Sequence, residues 1–154
     1  MNEESTIKLR ALRAETEAIP APLVEVPAPP VITDERILIA LRAAEDKKGV
    51  DPIVLDLQAV ANFTDYFLVV SGTNARQVQA IADEIAEQLK TSGTRAARIE
   101  GHSSAEWILL DYGDFIVHVF EEKARRFYDL ERLWRDAAKL VVPANGHALD
   151  DETA

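Results

Sequence analysis

The sequence predicts an α/β fold: a mixed β-sheet of about five strands with helices packed on it. Two observations predict it. Apolar residues switch along the chain between a period of 3.6 and a period of 2, in the rough order α-β-β-α-β-β-β-α. The chain of 154 residues is also long enough to bury such a core without disulfides or a structural metal. No internal repeat competes with this reading.

Taken in order, the elements have local causes. Five of the seven prolines fall between Pro20 and Pro30. Such a run lacks regular backbone donors and favours extended polyproline II. Residues 1–32 are therefore expected to form a flexible, proline-rich extension, with a short marginal helix over Ile7–Ile19 ahead of the tether. Residues 33–142 hold the α/β domain. Thr33 can cap a helix whose first turn carries Asp34 and Glu35, both favourable at the positive end of the dipole. Ile37, Leu38, Leu41 and Ala44 make its stripe, and Lys47, Lys48 and Gly49 stop it. Pro52–Leu57 and Tyr66–Ser71 read as short buried strands. Asn74 with Gln77 resembles a capping box opening a helix with Val78, Ile81, Ala82, Ile85 and Leu89 on one face, ended by Gly93. Ala97–Glu100 is a short strand. Glu106–Asp111 and Phe115–Phe120 are strands joined by the tight Tyr112-Gly113 connection. Glu122–Val141 reads as one helix with Phe127, Leu130, Leu133, Trp134 and Ala137 inward. Residues 143–154 read as a flexible acidic tail.

Composition removes several function classes. With no cysteine, the chain has no redox motif, thiolate zinc site or cysteine nucleophile. Its longest apolar runs are too short for a transmembrane helix. No secretory signal is expected, and the acidic residues of 1–32 disfavour an organelle presequence, so the expected location is cytoplasmic. Seventeen Lys and Arg against 27 Asp and Glu give a formal charge of −10. That argues against binding bare nucleic acid, which requires a basic face. A basic protein is the better complement. The two ends carry half of this charge, leaving a net −5 on residues 33–142.

Three constellations invite chemistry. Ser103 or Ser104 beside His102 would be a nucleophile–base pair, but sequence neighbours rarely reach that geometry, and no G-x-S-x-G elbow exists. Asp111, Asp114 and His118 surround one hairpin and could hold a metal; alternatively the two aspartates merely cap the turn. Ser71-Gly72-Thr73-Asn74, at a strand–helix junction, is either an anion site or a capped turn. Nucleotidyltransferases use such a junction with a D-x-D pair on a neighbouring strand. Here Asp56 stands alone, and a Walker-type lysine is missing. No enzyme activity, cofactor or metal is therefore expected. What remains is a recognition surface. Trp107, Ile108, Leu109 and Leu110 alternate faces, and helices on one side only would leave one set exposed. Trp107 and Tyr112 beside Asp111, Asp114 and Glu121 would make an aromatic patch rimmed with acid, the chemistry of an interface hot spot. Trp107 as plain core is the open alternative.

The run Glu100-Gly101, Ser104, Trp107, Asp111, Gly113-Asp114, Val117-His118, followed by Arg125-Arg126-x-Tyr128-x-Leu130-Glu131-x-Leu133-Trp134, closely resembles the ribosomal silencing factor family RsfS, also called Iojap or YbeB. Thr64-Asp65-Tyr66-Phe67 and Ser71-Gly72-Thr73 with Arg76 resemble it too. The resemblance covers about residues 33–140. It implies a fold related to nucleotidyltransferases without their catalysis. It also implies a translational repressor that binds the large ribosomal subunit through its universal protein fourteen and blocks joining to the small subunit when nutrients are scarce. A role in large-subunit assembly is the alternative, and a nucleotide-binding protein the weaker one. Carried over by position, the contact falls on Trp107, Ile108, Leu110, Asp111 and Tyr112, with Asp114, His118 and Glu121 as neighbours. Arg125, Arg126 and Tyr128 would tie the last helix to the sheet through Glu131 or Asp129. A homodimer is a further implication.

Overall fold

Alternating apolar periods become a six-stranded mixed sheet in the computed structural model, which describes Lys8, Ala11, Leu12 and residues 30–143. The elements are α1 (Glu35–Asp46), β1 (Val50–Asp56), β2 (Tyr66–Gly72), α2 (Ala75–Thr91), β3 (Arg98–Glu100), β4 (Trp107–Asp111), β5 (Phe115–Glu121), α3 (Glu122–Tyr128), α4 (Leu130–Leu133) and β6 (Ala138–Leu140). The strand order is β3-β4-β5-β2-β1-β6. Among the named strands of the described residues, only β2 and β5 pair in parallel, with Tyr66 opposite Phe115 and Gly72 opposite Glu121. The remaining neighbours are antiparallel.

Most caps and faces follow the sequence. Asn74 Oδ1 accepts from the Gln77 amide at 2.9 Å, and Gln77 Oε1 accepts from the Thr73 amide at 2.7 Å, a reciprocal cap whose return bond falls one residue before the N-cap amide of a capping box. All five residues of the expected α2 stripe are buried. The cap of α1 moves by one residue. Asp34, not Thr33, is extended and accepts from the Arg36 amide at 2.9 Å. A carboxylate there also pairs with the Arg36 guanidinium, which a threonine could not do.

The C-terminal third departs most from the sequence reading. The expected helix over Glu122–Val141 is interrupted at Asp129, whose backbone is left-handed (φ 51°, ψ 53°). After the four-residue α4 the chain extends, and Ala138–Leu140 pairs antiparallel with Val54–Asp56. That pairing satisfies an edge of β1 that a helix would have left open, and it makes the sheet six strands rather than about five. The break also resets the helical phase. Leu130, Trp134 and Ala137 are buried as expected, but Phe127, expected inward, is 81% exposed.

Both faces of the sheet are covered. Beneath α1 and α2 lie Val54, Leu68, Val70, Ile108, Leu110, Phe115 and Val117. On the second face Leu55, Phe67, Val69, Trp107, Leu109 and Phe120 pack with Leu130 and Trp134, and with Ala11 and Leu12 from the amino-terminal region. The expectation that one residue set would be left open is therefore overturned: loops, short helices and an amino-terminal segment serve where a third long helix is missing. Lys8, Ala11 and Leu12 are helical. The rest of the expected Ile7–Ile19 helix, the tether up to Pro29 and the tail beyond Pro143 lie outside the described residues. Val31 and Ile32, assigned by sequence to the extension, join the body. Val31 bridges Val141, the Ile32 amide donates to the Val141 carbonyl at 2.9 Å, and Ile32 is buried.

Candidate functional site

Strands β4 and β5 and the turn that joins them hold every residue singled out for partner contact, but they sort those residues into different environments. Trp107 and Leu109 face the second core; Ile108 and Leu110 point beneath α1 and α2. Trp107 is 4% exposed, and Ile108, Leu110 and His118 are wholly or almost wholly buried. As side chains presented for docking, these four are not available on the surface. The core alternative for Trp107 describes its environment.

Trp107 is held on all sides. Its ring packs 4.9 Å from Phe120 and 4.8 Å from Tyr128, centroid to centroid. Its Nε1–H donates to His118 Nδ1 at 3.0 Å. His118 is therefore an acceptor at Nδ1, which puts the proton of the neutral ring on Nε2. Among the described residues Nε2 itself has no hydrogen-bond partner. Burial, and then the nearby Lys8 ammonium, push the His118 pKa down to about 3, so the ring stays neutral. Phe67 meets it edge-on at 4.4 Å.

The hairpin residues sit at the other end of the strands. Asp111 Oδ1 accepts from the Gly113 amide at 2.8 Å, closing the turn where Gly113 has a φ of +88°. Tyr112 is nearly buried and stacks on Phe115 at 4.8 Å; burial pushes its hydroxyl pKa up to about 12. Asp114 is exposed, and Arg36 bridges it and Asp34 at 2.7 Å each. The Arg36 hydrogen bonds hold both carboxyls below their usual range. Asp111, Asp114 and His118 thus diverge: one closes the turn, one pairs with Arg36 and one is in the core. Among the described residues no group of three His, Cys, Asp or Glu could hold a metal.

Glu121 lies at the far end of β5, six residues beyond Phe115 at the hairpin end and roughly 20 Å away. The structure does not gather Trp107, Tyr112, Asp111, Asp114 and Glu121 into one patch. Around Glu121 it makes a different surface, missed by sequence. A shallow groove of about 370 Å³ is lined by Glu106, Glu121, Lys123, Ala124, Phe127 and Tyr128. Glu121 also caps α3, accepting from the Lys123 amide at 3.0 Å. Phe127 stands over this groove, T-shaped on Tyr128 at 5.1 Å, and Tyr128 in turn rests on Trp107. Phe127 is the most exposed large apolar side chain among the described residues. The adjacent Phe127-Tyr128 pair was the available signal, because two neighbouring aromatics on a helix cannot both face inward.

The strand–helix junction is chemically occupied by the protein itself. Arg125 Nη1 donates to Ser71 Oγ at 2.7 Å and to the Val50 carbonyl at 3.1 Å. Its Nε and Nη2 reach Glu131 at 3.3 and 3.1 Å, the tie that the resemblance implied. The Thr73 amide and hydroxyl both donate to Gln77. Gly72 is required by packing: a Cβ there would lie 2.9 Å from the Val78 amide nitrogen. These groups make a capped, tied-down junction. His102, the other catalytic candidate, pairs with Asp83 at 2.8 Å. Ser104 Oγ donates instead to the Gly101 carbonyl at 3.3 Å.

Comparison with known proteins adds kinship to this geometry. Residues 31–154 match the family described as ribosomal silencing factor during starvation. The chain is 43% identical over 99 residues to the ribosomal silencing factor RsfS of Bacillus subtilis, covering 64% of this chain and 84% of that protein. It is 29% identical over 104 residues to the mouse protein named mitochondrial assembly of ribosomal large subunit protein 1, covering 66% of this chain but 45% of that one. A crystal structure from Bacillus halodurans superposes with a TM-score of 0.64 at 34% identity, covering 71% of this chain and all of that one.

Proposed function

The chain belongs to the ribosomal silencing factor family, and from that premise we propose that it represses translation by occupying the large ribosomal subunit. It docks on the subunit's universal protein fourteen, acts in the cytoplasm chiefly under nutrient limitation, and forbids joining to the small subunit by steric clash. A body of this size suffices, since joining requires many bridges to form together. The family match over residues 31–154 is the observation that carries this reading. A homodimer is compatible with it.

We place the contact at the Glu121 end of the β4–β5 pair. Phe127, 81% exposed, supplies an apolar anchor, and Glu106 and Glu121 supply acid around it. Acid there complements basic side chains on the ribosomal protein and speeds encounter, while repelling neighbouring RNA. Trp107 and His118 act from below by fixing Tyr128 and β5; Ile108 and Leu110 anchor the strand to the opposite core. Asp111, Tyr112 and Asp114 form a secondary edge at the hairpin. The kinship with nucleotidyltransferases implied by the resemblance concerns descent, since the junction hydroxyls are engaged by Arg125 and Gln77.

The test is co-sedimentation with purified large subunits and with joined ribosomes, alongside light scattering of subunit joining. Binding to free large subunits alone, with joining suppressed, is expected. Phe127→Ala with Glu106→Lys should weaken binding about tenfold or more without unfolding the chain. Both side chains are accessible, whereas Trp107→Ala would confound docking with core loss. Loss with Asp111→Arg alone would move the contact to the hairpin. The mouse relative's name favours a second reading, assembly of the large subunit. Immature large particles accumulating on removal of the protein would support it; mature free subunits joining too readily would support silencing.

A further inference from the structure

The second face of the sheet carries an occupant that the family match, beginning at residue 31, does not include. Lys8 Nζ donates to the Trp107 carbonyl at 3.2 Å and stands 5.2 Å from the centre of the Trp107 ring, a cation–π contact. Ala11 is fully buried, and its carbonyl accepts from Trp134 Nε1–H at 2.8 Å, also buried. Leu12 packs on the same cluster. Gly101, at φ +80°, has no side chain, and a Cβ there would come within 3.1 Å of Lys8 Nζ and collide with the Trp107 carbonyl. One lysine, one small residue and one leucine thus meet both tryptophans of the chain.

From this seating we propose that the Trp107–Trp134 face is a binding surface for a lysine-bearing helical segment, and that the chain's own Lys8–Leu12 segment fills it as a tethered competitor of the ribosomal partner. This rests on the docking reading above, because the seat adjoins the groove through Tyr128, which touches Trp107 on one side and Phe127 on the other. A basic partner would bring to the Trp107 ring the same charge that Lys8 brings. Seventeen residues of sequence, 13–29, separate Leu12 from Pro30, so the segment is covalently tethered to the domain it covers. While seated it narrows what the partner can reach; released, it joins the groove to the tryptophan face. A segment seated nine-tenths of the time weakens docking about tenfold.

The test uses the full chain with two variants. Ala11→Gln leaves the charge unchanged but cannot be accommodated at a fully buried position. Lys8→Gln removes the cation–π contact and spares the core, so it serves should Ala11→Gln fail to fold. Because Trp107 and Trp134 are the chain's two tryptophans, acrylamide quenching of intrinsic fluorescence reports the seat directly. Co-sedimentation with purified large subunits reports docking. Stronger quenching together with docking tightened about threefold to tenfold is expected, larger for Ala11→Gln. Unchanged quenching in both variants would overturn the seat. Stronger quenching with docking no tighter would overturn the competition alone. Absence of docking by the wild type and both variants would overturn the proposed function and the competition with it, while the quenching would still report whether the seat is real.

Discussion

His118 should make this protein acid-labile well above the range where its carboxylates protonate. In the folded chain the ring is buried, accepts a hydrogen bond from Trp107 and has its pKa pushed down to about 3. Unfolded, it recovers the ordinary value near 6.5. Between those two values the unfolded chain binds a proton that the folded chain refuses. The stability attached to His118 is thus intact above pH 6.5 and falls as pH drops, by up to about 1.4 kcal/mol per pH unit. From pH 7 to pH 4.5 the loss is about 2–3 kcal/mol. The carboxyls of Asp34 and Asp114 have folded pKa values below 3.8, so their contribution is present above that value and lost only below it. The interval from pH 6.5 to 4.5 therefore isolates the imidazole from this pair. Urea unfolding followed by tryptophan fluorescence at several pH values measures the slope. His118→Gln keeps an acceptor for Trp107 and removes the titration, so its slope across this interval should be shallower by close to one proton. Equal losses in wild type and His118→Gln would refute the reasoning.

Three further outcomes test the packing. Arg125→Ala leaves Glu131, Ser71 and the Val50 carbonyl without their shared donor at a side chain only 10% exposed; it should cost about 2–4 kcal/mol in urea unfolding. Arg125→Lys should recover little of that, since an ammonium lacks the planar fork. Gly101→Ala places a Cβ against the Trp107 carbonyl at φ +80° and should lower stability by more than about 2 kcal/mol. Phe127→Ala should change the free energy of urea unfolding by no more than about 0.5 kcal/mol, because the ring is solvent-exposed.

The legibility of the fold tracks how local its causes are. The α2 stripe and its Asn74–Gln77 cap depend on neighbours three and four residues apart, and they appear as read. The β4–β5 hairpin depends on Gly113 and its flanking alternation, and it too is present. The segment from Glu122 to Val141 depends on something remote, the open edge of β1, which competes with helix for Ala138–Leu140. A continuous apolar stripe could be drawn through Phe127, Leu130 and Trp134, but Asp129 in the left-handed region divides it. The cover on the second sheet face is equally remote, since Ala11 meets Trp134 across 123 positions of sequence. No periodicity encodes that contact.

The single acidic and aromatic patch read from the sequence is not gathered by the fold, for a related reason. Sequence counts carboxylates; the fold sorts them by what they already bond. Asp111 is committed to the Gly113 amide and Asp114 to Arg36, so the hairpin offers a partner less negative charge than its composition suggests. Glu106 is exposed, and Glu121 gives one oxygen to the Lys123 amide while lining an open groove. The net −10 of the chain therefore says little about where a basic surface would land. Attraction at contact range is set by carboxylates that lack a cation of their own and stand beside desolvatable apolar area. Phe127 provides that area at the Glu121 end of the strands. At the hairpin, Tyr112 is already stacked on Phe115 and Arg36 already spans the acid. Local commitment of charge, rather than its total, is therefore the reason for proposing the groove as the docking site.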